Sequence, residues 1–191
     1  MKRAISLLVI LVSCNNSKEG KSYRDSELII PDSLRARNIS DMKFGMFICY
    51  NMATYKEVEW VDGYPDPSVF NPGAKVDTDA WADAAVSAGM TYGVLTAKHV
   101  SGFCLWDSEY TTYDVMHPDC PYQEDLIAQY IKSFKSRGLK VGLYYCWRNP
   151  GFGDPKKFKV LPPECDPASH TLEEQNKFQK AQIEELLTRY P

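Results

Sequence analysis

Hydrophobic positions along this chain gather into three short runs, separated by longer stretches whose apolar residues recur with helical spacing. The runs are Lys43 to Tyr50 (KFGMFICY), Tyr92 to His99 (YGVLTAKH) and Lys140 to Trp147 (KVGLYYCW). Short aromatic and aliphatic runs of this kind predict buried β-strands. Between them, Thr78 to Ala88 predicts a helix opened by Asp77 and stopped at Gly89. Asp125 to Arg137 predicts a second, with Leu126, Ile127, Tyr130, Ile131 and Phe134 on one stripe before Gly138. Both end at a glycine C-cap, and Asp77 and Asp79 read as capping the first. A third helix starts near Thr171, where Glu174 three residues on completes a capping box, and Ile183, Leu186, Leu187 and Tyr190 form its apolar face.

The order βαβαβα with near-continuous apolar strands predicts an α/β fold on a parallel sheet. The long segments Asn51 to Val76, Val100 to Glu124 and Arg148 to His170 all follow strand C-termini, whereas the helix-to-strand turns are short. Long loops on one rim are what a (β/α)8 TIM barrel carries on its catalytic face. No GxGxxG follows the first strand, which argues against a dinucleotide-binding unit. The fold expected is therefore a partial (β/α)8 TIM barrel, about the first three βα units, since a whole barrel takes roughly 250 residues and this chain has 191.

Composition narrows the function classes. Lys plus Arg number 22 against 25 Asp plus Glu, a net charge of -3, which offers no electrostatic footing for nucleic acid. With 44% hydrophobic residues the chain can build a sizeable core. The N-terminus has a processing pattern: Lys2 and Arg3, the apolar stretch Ala4 to Val12, then Ser13 and Cys14. Leu11-Val12-Ser13-Cys14 resembles a bacterial lipobox. Residues 1–13 are thus expected to be a lipoprotein signal peptide, with Cys14 the lipidated residue that anchors the protein to the cell envelope. Residues 14–27 read as a polar tether and 28–191 as the folded domain. The later cysteines, Cys49, Cys104, Cys120, Cys146 and Cys165, show no CxxC pair, so neither a zinc site nor a disulfide framework is expected; a loop bridge between Cys120 and Cys165 is the less favoured alternative. No metal or cofactor motif is present.

The strand ends and the loops behind them concentrate rings and hydrogen-bonding groups: Cys49, Tyr50, Asn51, Glu59, Trp60, Lys98, His99, Trp106, Asp107, Tyr144, Tyr145 and Trp147. Such a mixture suits carbohydrate, whose apolar face stacks on an indole while its hydroxyls need matched donors and acceptors. Cleaving a glycosidic bond adds two carboxylates.

KFGMFICYN (Lys43 to Asn51), Glu59-Trp60, FNP (Phe70 to Pro72), DTDAWADAAVSAGMTYGVLTAKH (Asp77 to His99), GFCLWDS (Gly102 to Ser108) and GLKVGLYY (Gly138 to Tyr145) together resemble the N-terminal half of the catalytic barrel of the α-L-fucosidases, glycoside hydrolase family 29. The resemblance implies a retaining exo-hydrolase that releases terminal α-L-fucose from glycans through a covalent glycosyl-enzyme intermediate. It also implies substrate-binding roles for Glu59 and Trp60, for His99 (first His of a KHHDGF motif) and for Tyr145, with Tyr144 the less favoured member of that aromatic pair. The chain departs from the family where Cys49-Tyr50-Asn51 replaces His-Trp-Gly, and where Val100 and Ser101 replace the second His and the Asp of KHHDGF. The family's nucleophile and acid/base carboxylates are expected beyond Pro191, so this chain alone is expected to be inactive; Asp107 and Glu109 read as solvated or loop-anchoring. Two alternatives stay open: a non-catalytic glycan-binding lipoprotein, and a hydrolase of a different glycoside.

Overall fold

A computed structural model of the chain describes residues 8–12, 40–61, 63–147 and 171–190. Strand β1 is Leu8–Val12, β2 Gly45–Ile48, β3 Tyr92–Lys98 and β4 Lys140–Tyr145. The helices are α1 Met52–Lys56, α2 Thr78–Ser87, α3 Leu126–Ser136 and α4 Leu172–Arg189, with a 3-10 turn at Pro67–Val69. The strands form one sheet in the order β1-β4-β3-β2. β2 pairs parallel with β3, and β3 parallel with β4, so the sequence-read strands form a small parallel sheet with α2 and α3 as crossovers. The addition is β1, part of the apolar stretch read as a signal, which runs antiparallel along the outer edge of β4 with Leu8 opposite Tyr145. Cys14, the tether, Cys165 and the segment 148–170 lie outside the described residues.

The helix ends follow the local chemistry expected of them. The Asp77 and Asp125 carboxylates accept from the amides of Ala80 and Ala128, both at 2.8 Å. Thr171 and Glu174 form the reciprocal capping box. Gly89 and Gly138, at φ 73° and 74°, close α2 and α3 in the left-handed region that a side chain disfavours. Short α1 was not legible as a periodic pattern. It is opened by Asn51, whose Oδ1 accepts from Ala53 N at 2.9 Å.

The main core lies between the sheet and its helices. Leu95, Ala97, Leu143 and Tyr145 of the strands meet Tyr130 and Phe134 of α3 there. Gly93 makes close approach possible, since a Cβ there would lie 2.3 Å from the Phe134 ring. The opposite sheet face carries a smaller cluster of Val94, Tyr144 and Cys146, with Tyr92 and Val100 packed against it.

Candidate functional site

The second face gathers the ends of all three parallel strands. β3 delivers His99, buried at 6% exposure, just after its last residue. Trp60, on the loop beyond α1 and 48% exposed, stacks on His99 with ring centroids 5.3 Å apart and planes inclined 23°. On its other side His99 meets Tyr144 of β4 at 6.0 Å, and Tyr144 meets Phe47 of β2 edge-on at 5.7 Å. The four rings form a continuous row across three strands, and Trp60 and Phe47 at its ends are open to solvent.

Burial holds the His99 imidazole below its ordinary pKa, so it is neutral at neutral pH. Its Nδ1 is buried and has no hydrogen-bond partner. The Tyr144 phenol is pushed up, first by burial and then by the neighbouring thiols of Cys146 and Cys49. Cys49 is exposed and accepts a hydrogen bond from Asn51 Nδ2 at 3.5 Å; burial of its sulfur still outweighs that bond and raises the thiol pKa. The face therefore offers neutral hydrogen-bonding groups between aromatic surfaces.

Trp60 and His99 are thus brought together, and Glu59 lies exposed beside Trp60. Tyr145 stands apart. It is fully buried on the helix side, where its hydroxyl accepts from Lys98 Nζ at 2.9 Å and donates to Gln182 Oε1 at 2.6 Å. Neighbours in a strand point to opposite faces, so Tyr144 is the member of the pair that shares the face with His99. Sequence reasoning ranked the two the other way because parity at a strand end is set by the pairing, not by the local residues. Val100 packs on the Tyr144 cluster, while Ser101 is buried with its hydroxyl near Phe103 N at 3.5 Å.

Several carboxylates on the described residues serve the scaffold. Asp107 is exposed, and Glu109 spends its carboxylate on Arg189 at 3.2 Å. Glu185 of α4, buried and 76 or more residues away in sequence, accepts from Trp106 Nε1 at 3.0 Å, Ser108 Oγ at 3.0 Å and Glu109 N at 2.8 Å. Asp114 is buried and accepts from Met116 N at 2.8 Å and Ser108 N at 3.2 Å; burial pushes its pKa up to about 6. Neither was marked by a motif. Among the described residues no group of three His, Cys, Asp or Glu could hold a metal ion, and Cys120 is a buried free thiol.

The family model for alpha-L-fucosidase matches residues 10–191, nearly the whole chain. The chain belongs to the α-L-fucosidase family. It is 34% identical to alpha-L-fucosidase 1 of Arabidopsis thaliana over 147 residues, which is 76% of this chain and 26% of that protein. Among solved fucosidase structures, a glycoside hydrolase 29 family member from an unknown rumen bacterium superposes with a TM-score of 0.64 at 31% identity, over 81% of this chain and 25% of that one. The alpha-L-fucosidase isoenzyme 1 from Paenibacillus thiaminolyticus gives 0.64 at 28% identity, over 83% and 41%. The chain thus spans about a quarter of the plant fucosidase it matches.

Proposed function

We propose that this chain supplies the fucose-gripping front of a retaining α-L-fucosidase that releases terminal α-L-fucose from glycans. One observation carries the reading. The His99 imidazole, stacked under an exposed indole, has a buried Nδ1 without a hydrogen-bond partner. An unmatched buried polar atom costs about 1–3 kcal/mol, and a sugar hydroxyl beneath Trp60 relieves that cost while the apolar sugar face covers the indole. The longer protein is a (β/α)8 barrel whose first three strands are β2, β3 and β4, with the site on the loops at their C-terminal ends. The nucleophile and acid/base carboxylates that cleavage needs are supplied by the rest of that longer protein, and the 191-residue chain binds the sugar without hydrolysing it. Residues 1–13 are an export signal, and Cys14 carries the lipid that holds the protein on the bacterial envelope. Cleavage there removes β1 and opens the outer edge of β4 for the next barrel strand.

Calorimetric titration of the 191-residue chain with L-fucose should give saturable binding with a change in Trp60 emission, and an aryl α-L-fucoside should release no phenol. Absence of any L-fucose binding, or equal binding of unrelated hexoses, refutes the reading. A second reading, a hydrolase of a different glycoside, is favoured by Val100 and Cys49 beside Tyr144 in place of histidines. A panel of aryl glycosides offered to the longer protein separates the two. Metabolic labelling with a fatty acid should mark the protein, and Cys14→Ala should abolish that label.

A further inference from the structure

Lys98, the residue before His99, is 1% exposed. Burying an ammonium group costs several kcal/mol unless the fold compensates it, so a lysine in this position is held for a reason. Its Nζ donates to the Tyr145 hydroxyl at 2.9 Å and lies 4.3 Å from the centroid of the same ring. The Tyr145 hydroxyl donates onward to Gln182 of α4, whose Nε2 reaches the Ser108 hydroxyl and the Cys104 sulfur at 3.4 Å each. Ser108 in turn donates to Glu185 at 3.0 Å. A chain of buried polar contacts therefore runs from the residue beside the sugar face to α4 on the far side of the sheet.

The register shows what this chain controls. Thr96 pairs with Tyr144 and Lys98 with Tyr145, so two steps along β3 match one along β4. Leu95 and Ala97 belong to the helix-side core. Strict alternation would then send Lys98 to the Tyr144 side and His99 into the helix-side core. The irregularity reverses both. Lys98 joins Tyr145, and His99 comes up beside Tyr144 and Trp60.

We infer that Lys98 is a positioning residue for the sugar site: its contact with Tyr145 holds the one-residue shift in β3 that turns His99 toward Trp60. The inference rests on the reading of that face as a fucose site, and its test separates the two. In the full 191-residue chain the His99 Cε1–H resonance, assigned by its absence in His99→Gln, is displaced upfield by the ring current of the stacked indole. Read at pH 8, where the imidazole is neutral in every variant, that displacement reports ring geometry, which a change of stability leaves in place. Lys98→Met and Tyr145→Phe should both lose it and weaken L-fucose binding by about tenfold, the scale of one lost hydrogen bond. Lys98→Arg should keep much of both. Should Lys98→Met fail to fold, Tyr145→Phe, which keeps the ring and removes only the hydroxyl, decides the matter. An unchanged His99 resonance in the folded variants overturns the inference. A displaced resonance that Tyr145→Phe abolishes, in a chain that never binds L-fucose, sustains the positioning role and sinks the fucose reading instead.

Discussion

Replacing Trp60 by alanine separates a sugar contact from a structural plug. The indole is 48% exposed, so of the roughly 200 Å² of a tryptophan side chain about 100 Å² is open to a ligand. A pyranose face covering about half of that, at ~25 cal/mol per Å², contributes ~1.2 kcal/mol. Once the indole is gone, water reaches the otherwise buried Nδ1 of His99 and competes with the sugar hydroxyl, so the total loss comes to about 1–2 kcal/mol, or 5–30-fold in affinity. Calorimetry with L-fucose should show that drop in Trp60→Ala, near-wild-type affinity in Trp60→Phe, and a thermal midpoint little changed in either. Trp106 is the internal contrast: it is fully buried and bonded to Glu185, so Trp106→Ala should cost about 3–5 kcal/mol of stability. If Trp60→Ala destabilises the chain as severely as Trp106→Ala and leaves sugar affinity untouched, Trp60 is packing and the reasoning fails.

Because burial depresses the His99 pKa, the unfolded chain takes up a proton near pH 6.5 that the folded chain refuses; that part of the stability is present above pH 6.5 and lost as pH falls below it. L-fucose affinity, which uses neutral His99, should accordingly stay flat from pH 8 through 6.5. Asp114 acts with the opposite sign: its folded pKa of about 6 exceeds the unfolded 3.8, so its contribution improves as pH falls from 7 towards 4, and denaturant titrations should show that segment vanish in Asp114→Asn. The raised thiol pKa of exposed Cys49 predicts slow alkylation at pH 7, and saturating L-fucose should slow it further, as read by mass spectrometry. Gly93→Ala drives a methyl into the Phe134 ring, and chemical denaturation should register a loss of about 1–3 kcal/mol; an unchanged midpoint would mean that α3 does not sit against β3 as described.

Most of the elements, and the family, were legible in the sequence, whereas α1 and β1 were not. Periodicity located β2, β3, β4, α2, α3 and α4 because burial selects apolar side chains at the spacing of each element. Asp77, Asp125 and the Thr171–Glu174 pair marked the helix starts because capping is local chemistry between residues three apart. Trp60 and His99 were expected at the sugar site only through family motifs. Their stacking could not be read, since they lie 39 positions apart and no pattern along a sequence encodes such an approach. That Tyr144 lies beside His99 while Tyr145 meets Lys98 and Gln182 could be read only in three dimensions. Side chains alternate with a period of two, and the irregularity that resets this parity near Lys98 is bound up with contacts from β4 and α4, far away in the chain.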